Sequence, residues 1–370
     1  MTVPLSVLDL SPVPEGANAA TALANTVDLA RHTEALGYRR FWVAEHHFAA
    51  VAGSAPAVLI GQIAAATTHI RVGAAAVQLG QTTAVAVVES FGMLDAFHPG
   101  RIDLGVGRSG QRRRDALNGS APQVQTVGAR EVGGVVVPAP FDVAALMRNP
   151  RLQARMSVLQ QPGAVAPDFA DQVADVLAML DGRYCVNGVE AHPVPGEHAA
   201  LTPWIFGSSA GESARVAAAQ GLPFVASYHI TPSTALDAVE AYRSAFVASE
   251  YLAAPYVVVS ADVVVADDDA AATKLAASYG HWVYSIRTGD GAIPYPDPDR
   301  IEPLTDEQRD LVRDRLSTQF VGSPDTVADR LTALQRVTGA DELVVTSMTH
   351  RHADRLRSYE LLAQRWGTSS

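Results

Sequence analysis

Cysteine is almost absent from this 370-residue chain: Cys185 stands alone, so no internal disulfide framework can staple the fold, and the usage fits a reducing compartment. Basic residues are missing from the first thirty positions, Arg31 being the first, which leaves out the charged start of a secretory signal. Long apolar runs are also lacking; none approaches the roughly 20 residues needed to span a bilayer. Positive charge is in deficit, with a formal net charge of −11. The one basic run, "GRSGQRRR" at 107–114, is too local to track a phosphate backbone. The expectation is a cytoplasmic protein whose partners are small molecules, with no nucleic acid and no membrane.

What is present is a repeated alternation of short β-branched runs, turn residues and stretches of helical spacing. Eight strands are predicted: 5–10, 41–47, 71–77, 101–107, 203–209, 223–229, 257–267 and 342–347. A helix follows each. That over 18–36 opens at Asn18, a good N-cap, and stops before Gly37, which suits a left-handed cap; Pro56 and Pro232 are placed as first-turn prolines. Near-continuously apolar strands, each followed by a helix, argue for an α/β fold of the (β/α)8 TIM barrel type, one domain over 1–370. The dinucleotide-binding fingerprint of an open doubly wound sheet, G-x-G-x-x-G, is absent from "LDLSPVPEG". Two segments exceed ordinary loop length and read as insertions after strands 4 and 7: about 111–202, and about 281–305. The second, with Trp282, Tyr284 and Tyr295, is a candidate lid.

Chemistry in a parallel barrel gathers where strands end. Asp9, Glu45-His46-His47, Ala74 to Ala76, Gly107-Arg108, Gly207-Ser208-Ser209 and Tyr228-His229 stand there. A metal site is not expected, because adjacent histidines on a strand face opposite sides and no strand offers two matched ligands. An anion site is better supported. "IFGSSAGES" places a small hydroxyl-bearing turn before a helix, and Arg108 stands on a neighbouring part of the rim to supply a charged fork.

Taken together, "LSVLDLSPV", "ALGYRRFWVAEHHF", "IRVGAAAVQL", "FHPGRIDLGVGR", "FGSSAGESARVAAAQGLPF", "FVGSPDTVADRL" and "GADELVVTS" resemble, in order, segments of the luciferase-like flavin-dependent monooxygenases. The resemblance covers nearly the whole chain except about 111–165, and "SGQRRRDALNGSAPQVQTVG" departs from the family pattern. It implies a barrel that binds reduced FMN as co-substrate and uses O2 to oxygenate a small organic substrate through a flavin hydroperoxide. It implies a cis peptide between Ala75 and Ala76 against the flavin ring, a phosphate site at Arg108, Ser208 and Ser209 in the turn after Gly207, and His46 as the active-site histidine. His47 would then be scaffold, and Glu45 would orient a histidine or satisfy backbone donors. Asp9, Tyr228, His229 and Trp282 are weaker substrate or lid candidates. Electrons would arrive from a separate flavin reductase or from NAD(P)H at the flavin, and relatives are often dimers, so a homodimer is expected. Two other readings stand beside this one: an F420-dependent hydride-transfer enzyme of the same barrel family, and a flavin-binding protein without turnover.

Overall fold

In the computed structural model, which describes residues 2–108 and 128–368, the eight predicted strands are all present and close on themselves. They are β1 (Leu5–Asp9), β2 (Arg40–Val43), β3 (Arg71–Ala74), β4 (Ile102–Gly107), β5 (Thr202–Gly207), β6 (Phe224–Ala226), β7 (Val257–Val265) and β8 (Glu342–Thr346). Each pairs in parallel with the next, and β8 returns to β1. Carrying Asp9 through these registers in turn, by way of Val43, Ala74, Leu104 and Pro203, brings the ladder back to β1 eight residues earlier. That is the shear of an eight-stranded barrel whose interior side chains can just fill.

Alternation divides each strand between two layers. Leu5, Val7, Phe41, Val43, Val257 and Val259 face the helices in one large apolar cluster, whereas Leu8, Trp42, Trp204, Val225, Val258 and Val344 fill the barrel. The barrel floor is polar: Arg40 Nη1 meets Glu342 Oε2 at 2.6 Å, Arg40 Nε meets Asp103 Oδ2 at 3.1 Å, and Arg71 reaches Asp103 as well. Tyr256 and Trp204 donate to the same two carboxylates, so each buried charge has several partners, as burial requires. Above this floor Trp42 lies edge-on between Trp204 and Phe206, with ring centroids 5.4 and 5.3 Å away. Glycine makes room for it: a Cβ at Gly73 would come within 2.5 Å of the Trp42 ring.

The outer helices keep their sequence punctuation. Asn18 caps Ala19–Ala35 by accepting from Thr21 N at 3.0 Å, Pro56 opens Pro56–Ala66, and Thr83 caps Ala84–Phe97. Pro232 does not open a helix; it lies in a turn, and Ala235–Ala245 begins three residues later. Among the described residues no helix is long and apolar enough to cross a membrane.

Both insertions lie where the pattern places them, with more internal structure than loops. Between β4 and β5 come the hairpin Arg130–Val132/Val135–Val137, turning at Gly133-Gly134, then helices Val143–Met147 and Pro150–Ser157, the barrel helix Phe169–Leu180 and a second hairpin. The divergent stretch that follows Arg108 falls for the most part outside the described residues. After β7 the expected 281–305 loop is corrected to helix at its start alone: Tyr279–Arg287 carries Trp282 and Tyr284, the rest to 305 is non-helical, and Asp306–Thr318 follows. A continuous apolar-aromatic face on 279–287 is what makes that segment helical, since it has the barrel mouth to pack on.

Candidate active site

β2 ends at Val43, short of the polar run, so the expectation of a strand through His47 is corrected. Its ladder runs out because β3 turns away: Ala75 N to Val43 O, 2.7 Å, is the bond just beyond the paired residues. The next four residues follow the rim, with His46 N donating to Gly53 O at 2.8 Å. Inward parity nevertheless persists, for Trp42 and Ala44 both pack in the barrel cluster and His46 is next in that series. Its neighbours turn aside. Glu45 accepts from Gln78 N at 3.0 Å, Gln78 Nε2 donates to Glu45 O at 2.9 Å, and Glu45 Oε1 meets His47 Nε2 at 3.0 Å. Glu45 and His47 therefore brace the rim. His46 Nδ1 is sealed from solvent without a partner among the described residues, and burial, with the charge of His47 adding to it, presses its pKa down to about 4. At neutral pH it is an uncharged imidazole.

Next around the rim the side chains become very small. The peptide bond between Ala75 and Ala76 is cis, Ala75 packs on the barrel cluster, and Gly107 faces Ala76 so closely that a Cβ there would lie 3.2 Å from the alanine methyl. One step further, Arg108 stands two positions beyond Val106, which pairs with Ile205, and this brings it level with Gly207 on β5. The Arg108 guanidinium ion-pairs with Glu212, first residue of the helix Glu212–Ala219. Gly211 caps that helix without a side-chain bond, so its first-turn N–H groups are left to other acceptors. Thr231 and Thr234 hydroxyls hold Ser208 O, fixing the turn, and Ser209 is exposed beside it. The expected constellation of Arg108, Gly207, Ser208 and Ser209 is thus brought together on one rim.

The far wall was the less legible one. β6 alternation sends Val225 inward, and His229 has the same parity; its Nδ1 lies 2.5 Å from Ser260 Oγ. Burial, then the charges of Arg315 and His46, push the His229 pKa down to about 3. Asp262, two residues beyond Ser260, accepts from Gln319 Nε2 at 3.0 Å; burial lifts its pKa to about 6 against the pull of Gln319, Arg315 and Tyr279. Arg315 in turn donates to Tyr279 Oη at 2.5 Å. Over this wall sits an aromatic cover: Trp282 stacks on Tyr279 at 6.2 Å and leans on Tyr295 at 6.5 Å. Trp282 Nε1 is buried without a partner among the described residues. Ser260, Asp262, Tyr279, Arg315 and Gln319 were not singled out by sequence reasoning, although Ser260 and Asp262 interrupt "VVVSADVVV" at the spacing that puts both on the face of Val258.

Two expected site residues face the other way. Asp9 is turned into the helix layer, 3.2 Å from Arg355 Nη1 and accepting from Thr26 Oγ1 at 2.6 Å, which makes it a structural carboxylate. Tyr228 also faces outward, its hydroxyl donating to Val136 O at 2.7 Å and its ring beside Phe320. In both cases strand alternation decides: each is one residue out of phase with an inward neighbour. An open polar depression at the opposite end of the barrel, around Asp181, Arg183, Glu250 and Tyr251, is remote from all of these residues and lies on the face that carries stability in such barrels.

A family model described as luciferase-like monooxygenase matches residues 3–132 and 161–342. The chain belongs to that family. The protein YvbT of Bacillus subtilis is 35% identical over 98% of this chain and 96% of its own. The Escherichia coli luciferase-like monooxygenase is 33% identical over 97% and 96%. A shorter match, 51% identical, covers 28% of this chain and 32% of the N-acetyl-S-alkylcysteine monooxygenase of Bacillus subtilis. The luciferase-like barrel recurs in the solved structure of apo-MsnO8, 32% identical, with a TM-score of 0.77 over 99% of each chain. The oxygenating component of a Pseudomonas putida 3,6-diketocamphane monooxygenase in complex with FMN (18%, 0.66, 98% and 97% covered) and an F420-dependent secondary alcohol dehydrogenase (12%, 0.60, 100% and 99%) share the fold.

Proposed function

We propose that this luciferase-like protein is an FMN-dependent monooxygenase that takes reduced FMN from a separate flavin reductase, and O2, to oxygenate a small organic substrate. The observation that carries the reading is the convergence of Arg108 with the 207–212 turn on one rim, beside a wall of Ala75, Ala76 and Gly107. Arg108, the hydroxyls of Ser208 and Ser209 and the first-turn N–H groups form a donor set for a phosphate monoester. The alanine-glycine wall leaves a flat face, and the buried orphan nitrogens His46 Nδ1 and Trp282 Nε1 are suited to a polar planar ligand. When bound, reduced FMN supplies the two electrons with which O2 is divided between substrate and water. His46, neutral and inward, holds or passes a proton at its ring nitrogen beside the ligand. The aromatic cover of Tyr279, Trp282 and Tyr295 excludes water, which favours transfer to substrate over loss of peroxide.

Titration of the protein with FMN, riboflavin, reduced FMN and F420 tests this. Arg108→Ala is expected to weaken FMN binding about 10- to 100-fold, the worth of a charge-assisted hydrogen bond, while leaving riboflavin unaffected. Tight binding of F420 with neither FMN form bound overturns the cofactor, and equal losses for FMN and riboflavin overturn the phosphate site.

A further inference from the structure

The far wall of the mouth holds a histidine whose hydrogen bonding is settled on one side only. Ser260 Oγ accepts from the backbone N–H of His229 at 3.3 Å and lies 2.5 Å from its Nδ1. The hydroxyl has one proton to place, and among the described residues two acceptors are within reach: Nδ1, or Ala226 O at 3.4 Å. Ala226 O lies beyond the usual O–H···O range whereas Nδ1 is well within it, so the short contact to Nδ1 takes the proton. Ser260 therefore clamps His229 twice, once through its backbone and once through its ring. A ring that accepts at Nδ1 and is neutral carries its proton on Nε2. Nε2 has no partner among the described residues and is not among the atoms sealed from solvent. The ring belongs to the turn that follows β6 and lies within electrostatic reach of His46.

The surroundings define what this N–H can meet. The nearby cation, Arg315, is hydrogen-bonded to Tyr279 and its charge is opposed by the Asp262 carboxyl, so the wall carries little net positive charge for an anion. Tyr279, Trp282 and Met348 supply an apolar body to the pocket. We propose that His229, locked by Ser260 as the Nε2–H tautomer, is the hydrogen-bond donor that selects a neutral substrate carrying an acceptor atom, such as a carbonyl oxygen, on an apolar body. The assignment rests on the FMN reading of the same mouth, and places substrate on the wall opposite the alanine-glycine face. Ser260 acts through His229 and is a positioning residue.

The test uses the full-length protein with 15N-labelled histidine, loaded with FMN. Ring-nitrogen shifts are expected to report Nδ1 as acceptor and Nε2 as protonated for His229. Cyclohexanone is then titrated against methylenecyclohexane, its isostere without an acceptor. Only the ketone is expected to move the Nε2–H resonance, and Ser260→Ala, which frees the tautomer, is expected to weaken ketone binding about fivefold, as for loss of one neutral hydrogen bond. Ser260→Thr restores it by keeping the hydroxyl. His229→Phe abolishes the preference for the ketone. A proton on Nδ1, a resonance unmoved by ketone, or equal response to both probes overturns the inference. Failure of FMN to bind in the first place instead counts against the parent reading, so the two failures are separable.

Discussion

Two adjacent histidines at the end of β2 have opposite fates because the chain alternates there and because Glu45 is between them and Gln78. His47 is spent on Glu45 at 3.0 Å, whereas His46 is presented inward and kept neutral. The pH dependence of stability follows from such residues. His46 and His229 have folded pKa values of about 4 and about 3, below the ordinary value of 6.5 that holds in the unfolded chain. Between that value and the folded ones the unfolded state binds more protons, so stability is complete above pH 6.5 and is lost as pH falls. Asp262 has the reverse sign: its pKa of about 6 exceeds the unfolded 3.8, so the native state holds its proton more strongly and acid stabilises it between those values. Two histidines outweigh one aspartate. Between pH 6 and 4 the imbalance is about one proton, a slope of about 1.4 kcal/mol per pH unit. Urea unfolding across pH 7.5 to 4.5 measures it: His46→Asn/His229→Asn is expected to reverse the slope, leaving the Asp262 contribution, and Asp262→Asn to steepen it. Stability that rises on acidification in the wild type contradicts the assignment.

The strands were legible as elements because parallel strands covered on both sides are continuous apolar runs. That same property hid their orientation. When both faces are apolar, alternation sorts residues into two sets without saying which set enters the barrel, and Asp9 and Tyr228 fell in the outward one. Strand ends were overextended for a related reason, since ladder bonds stop where a neighbour departs and not where β-propensity falls. Local chemistry survived better: the glycine turn beside Arg108 and the small residues at 75–76 stand where the motifs put them. The cover escaped because its supports are far apart in sequence. Its loop forms a bridge with the segment after β1, Tyr295 N donating to Val13 O at 2.8 Å, and Tyr295 Oη reaches Met348 O at 3.0 Å. Arg287 forks onto Asp314 at 2.5 and 2.7 Å while stacking on Phe141 of the first insertion. Removing that fork leaves a mostly buried carboxylate unpaired, so Arg287→Met is expected to cost about 3 kcal/mol. It is also expected to raise the peroxide released per reduced FMN oxidised, a quantity read by a peroxidase-coupled assay; unchanged release shows that the cover does not protect the site. On the small-residue wall the limiting position is Gly105, where a Cβ would lie 1.9 Å from Ala74 O. Gly105→Ala has no flexible neighbour to displace on that side, and its expected cost is about 3 kcal/mol in unfolding free energy together with loss of FMN binding.

At the scale of the whole molecule, the barrel wears an unequal coat. Most outer helices carry charge on their solvent faces, whereas Ala84–Phe97 exposes Val85, Met93 and Phe97, the last 74% accessible, with Glu89 half-buried in the same row. Beside it, Pro56–Ala66 exposes Val58, Gln62 and Ala65, with no charged residue in the helix at all. The two helices pack on each other, so their outer faces form one continuous weakly polar strip. A helix apolar nearly all round is expected to be covered, and exposed apolar strips of this kind mark protein contacts. We propose that a second copy of the chain covers it: two such helix pairs meeting about a twofold axis present the same apolar strip to each other, with Glu89 the one charged side chain of these two helices that is not buried. The site residues lie at the barrel mouth and not on this strip, so each protomer keeps its own cofactor and substrate pocket. Light scattering should therefore give a mass about twice 39.0 kDa for the wild type. Met93→Glu/Phe97→Glu places four like charges across the contact and is expected to yield monomers that still bind FMN; a wild-type monomer, or a double variant that remains dimeric, removes this strip as the interface.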